Sequence, residues 1–185
     1  MRFIPQSIPD IFLIEPLVHD DKRGYFVETY KQNLLNEALG YEIKFIQDNE
    51  SESVARGVLR GLHFQSPPYT QSKLVRVIKG KVLDVAVDIR TNSATFGKHV
   101  SIELSETNKN QLFVPRGFAH GFVVLSETAK INYKVDNIYK PEYDRGIAFD
   151  DPKLKIDWQL PREKLQLSSK DKLHPNLYDS IELFD

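Results

Sequence analysis

The chain has 185 residues, 41% of them hydrophobic and 28% charged, long enough for one domain with a sizeable core. Its 25 Lys+Arg balance 26 Asp+Glu, which argues against a protein that coats nucleic acid or a polybasic membrane binder. The absence of cysteine excludes disulfides, thiolate metal sites and a Cys nucleophile; no apolar run approaches 18 residues and MRFIPQSIPD is unlike a signal peptide, so a soluble, cytoplasmic protein is expected.

Short β-type runs separated by turns dominate the chain, in keeping with its 11 Phe and 8 Tyr. Residues 11–18 are apolar but carry Pro16, which predicts an edge or a strand end. Residues 24–30 (GYFVETY) form a second candidate strand. Residues 31–39 predict a short helix, because Leu34, Leu35, Ala38 and Leu39 fall on one stripe and Gly40 stands where a C-terminal cap belongs. Further strands are predicted over 43–49, 54–64, 73–78, 82–89, 99–104, 111–114, 118–125 and 130–135. Lys79-Gly80-Lys81 reads as a tight hairpin turn. In 82–89, Leu83, Val85, Val87 and Ile89 share one face and Asp84, Ala86 and Asp88 the other. Eight or nine short strands without a βαβ pattern predict an all-β sandwich or barrel with its core over about 11–135. Pro141, Pro152, Pro161 and Pro175 punctuate a C-terminal arm, 136–185, that packs on this core within the same single domain.

Of five histidines, His19, His99 and His174 have no supporting context. His120 alternates with Phe118, Phe122 and Val124, so it faces the interior of the sheet assembly. His63 follows Arg60 and Gly61; in a regular strand Arg60 and His63 point to opposite sides, and a bulge at Gly61 would bring them to one. Arg60 suits bidentate phosphate binding, and Lys73 suits a point charge on an oxyanion. Tyr133 shares a strand face with Ile131 and Val135, as a packed core tyrosine also would.

PRGFAHGF resembles the second motif of the cupin superfamily, and RGLHFQ occupies the place of the first. A metal-binding cupin offers His-x-His and a Glu, whereas the first motif here reads His63-Phe64-Gln65 and no Glu is evident. Two ligands of four imply a metal-free cupin. The segments DKRGYFVETY, FIQDNES, GVLRGLHFQ, KLVRVIKGKVLDVAVDIR, TFG, PRGFAHGF, DDPKLKIDW and LSSKD together resemble the dTDP-4-dehydrorhamnose 3,5-epimerase family over residues 2–175.

This resemblance implies a cupin-type jelly roll. The implied activity inverts C3 and C5 of a 4-keto-6-deoxyhexose on dTDP, without a cofactor. Both carbons are α to the C4 ketone, so the reaction needs a base, a stabiliser of the enolate oxygen and an acid on the opposite ring face. The resemblance makes His63 the base, Asp171 its hydrogen-bonding carboxylate, Lys73 the enolate stabiliser and Tyr133 the acid, with a nearby Lys lowering the phenol's pKa. It also implies substrate contacts at Arg23, Glu28, Gln47, Asp48, Asn49, Arg60, His120, Asp144 and Lys170, with Tyr139 stacking on the thymine. Asp144 stands where the family often has Glu. The implied partner is a second copy, in a homodimer with exchanged N-terminal strands that completes each site with Arg23 and Glu28. Two other readings remain open from the residues: a mono-epimerase or an epimerase of another nucleotide-linked 4-keto sugar, and a non-catalytic sugar-nucleotide-binding cupin. A complete His–Asp–Tyr–Lys set counts against the last.

Overall fold

Alternating side chains sort the strands into layers. The structure, a computed structural model, describes residues 1–180, 183 and 184. Ile181, Glu182 and Asp185 of the expected arm lie outside the described residues. In chain order the strands are β1 (Arg2–Pro5), β2 (Phe12–Glu15), β3 (Val18–Asp21), β4 (Gly24–Val27), β5 (Gln47–Ser53), β6 (Leu59–Gln65), β7 (Lys73–Lys79), β8 (Lys81–Asp88), β9 (His99–Ser105), β10 (Gln111–Val114), β11 (Phe118–Val124), β12 (Ala129–Val135) and β13 (Asp144–Gly146). Helix α1 spans Gln32–Leu39 and ends on Gly40 at φ 76°, the left-handed conformation that glycine adopts without strain.

Six strands pair in the order β1–β2–β10–β7–β12–β5 and five in the order β13–β6–β11–β8–β9, while β3 and β4 form a separate hairpin. Their pairings are antiparallel. The result is the expected cupin-type jelly-roll sandwich; among the described residues the sheets are not hydrogen-bonded into one closed barrel.

Val75, Val77, Leu112 and Ile131 of the larger sheet meet Val82, Val100, Phe118 and Phe122 of the smaller one in the central core. Behind the smaller sheet, Leu83, Val85 and Val87 pack against Ile147, Phe149, Leu154, Trp158 and Leu177 of the C-terminal arm. Behind the larger sheet, Leu35 of α1 and Ile43 cover Ile14, Leu74 and Phe113. Burial of these side chains contributes roughly 1.5–3 kcal/mol each.

Several boundaries differ from expectation. The strand end expected at Pro16 is present, since β2 stops at Glu15, but the run to Val18 is not one strand: β3 starts at Val18. The predicted strand over 43–49 begins only at Gln47, and Ile43 instead anchors the packing of α1. The predicted strand over 54–64 begins at Leu59, after a turn through Gly57 at φ 87°. β1 and β13, outside the expected core, add strands to the two sheets.

Candidate active site

A cleft of about 530 Å³ opens between the sheets, lined by Arg60, His63, Lys73, His120, Tyr133, Lys170 and Asp171 with Val75, Phe122 and Ile131 as its apolar floor. The paired β6 and β11 bring Arg60 and His63 to it together. His120 registers with His63, but Phe122 registers with Arg60, so two residues of β6 span one of β11. This is the bulge expected at Gly61. Gly61 has φ 134°, and a Cβ there would lie 2.5 Å from Gly121 Cα. A side chain at Gly121 would in turn lie 2.7 Å from the Arg60 carbonyl oxygen. The two glycines let the backbones approach closely enough for the irregularity to form.

His63 Nε2 donates to Asp171 Oδ1 at 2.6 Å, across 108 residues of sequence. Asp171 is 4% exposed. Burial disfavours its charge, but the imidazoles of His174 and His63 and the hydroxyl of Ser168 hold its carboxyl well below the usual range. An ionised carboxylate only accepts hydrogen bonds, so the proton of neutral His63 sits on Nε2 and its lone pair on Nδ1. The ring, 32% exposed, is open to a substrate in the cleft.

Lys73 begins β7 on the other wall. Burial pulls its ammonium down to about 8, with Asp84 and Asp144 opposing the shift. Tyr133, on β12, belongs to the same wall. Its phenol is raised, not lowered: burial dominates, Arg60 opposes it and Asp144 adds to it. The expected lowering by a nearby Lys therefore does not occur; desolvation of the phenolate outweighs the cation that is present.

At the mouth, Lys170 Nζ donates to Asp144 Oδ2 at 2.5 Å and Tyr139 Oη donates to the same oxygen at 2.9 Å. The shorter Asp144 side chain thus reaches both. Burial opposes the Asp144 charge, but these two donors keep its carboxyl below the ordinary range. Arg60 donates to Ser53 Oγ at 3.2 Å and to the Glu52 carbonyl oxygen at 3.2 Å. Asn49 registers directly opposite Tyr133 and so shares its face, with Gln47 two residues away and donating to Asn49 Oδ1 at 2.7 Å.

Three expected contacts fall elsewhere in the chain. Asp48 alternates to the opposite sheet face, where it accepts from Lys134 Nζ at 2.7 Å. Arg23 lies on the β3–β4 hairpin, paired with Asp21 and 90% exposed. Glu28 pairs with Lys31 at 2.8 Å. None of the three lines the cleft; Gln47, Asn49, Tyr139 and Asp144 also fall outside its lining.

Sequence reasoning missed two residues. Asp84, fully buried on β8, accepts from His120 Nε2 at 2.8 Å and fixes that ring toward the cleft. The signal was a carboxylate alternating with Val82 and Ala86 on a core-facing side. His174, read as lacking context, lies 3.6 Å from Asp171 Oδ1. Its signal was the three-residue spacing from Asp171.

Among the described residues, His63, Asp171 and His174 are the one cluster that brings three metal-ligating atoms within 4.8 Å of one another. The 2.6 Å His63–Asp171 separation is that of a direct hydrogen bond. Donors bound at about 2.0–2.1 Å around a tetrahedral ion stand roughly 3.3 Å apart, so the cluster fits a hydrogen-bonded pair better than an ion.

A jelly-roll sandwich with a His–Asp pair on one wall and a cation and a phenol on the other is the framework of a cupin-type epimerase. The family model described as dTDP-4-dehydrorhamnose 3,5-epimerase matches residues 5–179, and the chain belongs to that family. It is 50% identical over 183 residues to the dTDP-4-dehydrorhamnose 3,5-epimerase of Escherichia coli K12, covering 99% of this chain and 98% of that one. It superposes on the crystal structure of the Elizabethkingia anophelis enzyme with a TM-score of 0.93 and 49% identity, over 97% of this chain and 98% of that one. The Legionella pneumophila enzyme, solved in complex with dTDP-4-keto-L-rhamnose, gives a TM-score of 0.94 and 46% identity, over 99% and 97%. The chain is an isomerase of nucleotide sugars that converts dTDP-4-dehydro-6-deoxy-D-glucose to dTDP-4-dehydro-L-rhamnose.

Proposed function

We propose that His63 Nδ1 removes the proton at C3 and at C5 in turn, and that Tyr133 returns each from the other ring face. The observation that carries this is their placement on opposite walls of one cleft, His63 on β6 of the smaller sheet and Tyr133 on β12 of the larger. A sugar ring lying between the sheets meets a base on one side and an acid on the other. As C–H breaks, charge develops on the C4 oxygen, and Lys73 offers a desolvated ammonium to it. Asp171 supports the imidazolium that forms, because it is ionised and already in hydrogen-bond contact. The high pKa of the buried phenol keeps Tyr133 protonated until the enolate draws its proton. His120, held by Asp84, contacts the sugar.

The dTDP end extends toward Gln47, Asn49, Arg60 and Lys170, with Tyr139 at the rim as the stacking surface for thymine. No redox cofactor or metal enters these steps. A homodimer in which the β3–β4 hairpin carries Arg23 and Glu28 to the other protomer's cleft accounts for their distance from their own. The hairpin's exposed Tyr25 and Phe26, 54% and 65% accessible, favour that arrangement. A cytoplasmic setting, where nucleotide sugars are made, suits the substrate, and the 185 residues act as one domain.

The test is exchange in D₂O with dTDP-4-keto-6-deoxyglucose, followed at H3 and H5 by NMR. Wild type exchanges both positions. His63→Ala loses both by on the order of 10³-fold, and Tyr133→Phe retains exchange but loses inversion by about 10²-fold. Exchange persisting in His63→Ala removes His63 as the base. Exchange at one carbon alone in wild type would refute the double assignment.

A further inference from the structure

We infer that His174 is a positioning residue, the second imidazole on Asp171, held there by Gly146 to moderate the pull of that carboxylate on His63. The inference rests on the reading of His63 as the base. Asp171 Oδ1 accepts from His63 Nε2 at 2.6 Å, and His174 Nε2 lies 3.6 Å from the same oxygen. The His174 side chain is 9% exposed, and its buried Nε2 has no hydrogen-bond partner; the Asp171 oxygen 3.6 Å away is the carboxylate it faces. Its ring stands edge-on to His63, with centroids 5.6 Å apart and planes at 78°.

This placement depends on one residue of β13. Gly146 registers opposite His63. A Cβ at Gly146 would lie 2.3–2.5 Å from three atoms of the His174 ring. Any side chain there would expel the ring. The glycine and the histidine, 28 positions apart in the sequence, therefore form one device beside the base.

A buried imidazole nitrogen facing a carboxylate oxygen is stable there as a donor, because two bare lone pairs would repel. His63 and His174 then draw on one oxygen. Each donor reduces the negative charge left for the other. With His174 in place, Asp171 stays ionised and oriented, and less of its negative charge is left to hold a proton on His63. The other charged or titratable groups around the pair are Arg60, Lys73, His120 and Tyr133, which line the cleft with His63, and Asp144 and Arg145 of β13 with Lys170 and Asp179 of the arm, which border His174. Of these, Asp144 and Lys170 are paired with each other.

The test is the acidic limb of kcat/KM against pH for wild type, His174→Phe and His174→Gln. Phe keeps a ring without a donor, and Gln keeps an amide donor. The limb should move up by about half a unit in His174→Phe, which is about a threefold loss at pH values below it, and return toward wild type in His174→Gln. An unmoved limb in a folded His174→Phe, or equal movement in both variants, overturns the inference. ¹⁵N NMR of wild-type imidazoles provides a variant-free check: a protonated Nε2 at His174 supports the inference, and a bare one overturns it. Activity surviving in His63→Ala would refute the base assignment itself, whereas an unmoved limb with His63→Ala inactive refutes the role of His174 alone.

Discussion

Raising the pH through the range where Lys73 loses its proton isolates the oxyanion contribution. Burial brings this ammonium down from 10.5 to about 8, with Asp84 and Asp144 restraining the fall. The direction sets the sign: a lysine whose pKa is depressed in the folded protein sheds its charge at lower pH than in the unfolded chain. With a value near 8, about 90% of the enzyme carries the charge at pH 7 and only about 9% at pH 9. If the charged form alone stabilises the enolate, kcat/KM falls about tenfold between those two values. Tyr133 does not contribute a limb in this range, because its phenol is pushed above its ordinary value. The assay is initial-rate kcat/KM from H3 and H5 exchange in buffered D₂O across about pD 6.5–10. In Lys73→Arg the guanidinium keeps its charge throughout, so the alkaline limb should leave the accessible range, at a lower plateau because the fork replaces a point charge. A wild-type profile flat to pH 9.5, or a limb unchanged in Lys73→Arg, would show that Lys73 does not act through its charge.

Gly61→Ala places a methyl 2.5 Å from Gly121 Cα at φ 134°. It should cost about 3 kcal/mol, lower Tm by roughly 6–12 °C and reduce activity more than tenfold by disturbing Arg60 and His63 together; a Tm within 1 °C of wild type contradicts the close-approach argument. Sedimentation equilibrium at micromolar concentration should give twice the chain mass, and Arg23→Ala should raise KM about tenfold without changing that mass. A wild-type monomer with full activity would refute the strand-exchanged dimer.

The local signals read well where one element decides its own geometry. The apolar stripe and Gly40 specified α1, and Lys79-Gly80-Lys81 specified the hairpin, with Gly80 at φ 78° between β7 and β8. They read poorly where tertiary pairing decides. Arg2–Pro5 has no alternation to mark it, and becomes a strand because β2 offers an edge. Asp144–Gly146 is only three residues long and becomes β13 by pairing with β6. Ile43 has a strand-former's side chain, yet the packing of Leu35 against the sheet draws it into the cover instead.

The site divides along the same line, and β8 shows why. Period-2 alternation correctly put Leu83, Val85 and Val87 on one face and Asp84 and Asp88 on the other. Alternation of polar and apolar residues ordinarily means one wet face, so neither aspartate appeared functional. Here the arm covers one face and the larger sheet the other, and both aspartates are fully buried. A buried carboxylate requires donors. Asp88 finds Arg90, Ser93 and Thr95 and pins a loop, whereas Asp84 finds His120 and thereby reaches the cleft. Asp171 repeats the logic 108 residues from His63: it is an unremarkable acid in a Lys-rich turn until the arm seats it at 4% exposure beside two imidazoles. The residue types able to do the chemistry were visible from motif and resemblance. Which carboxylate orients which histidine depends on what covers each sheet, and the chain determines that only through the folded arm.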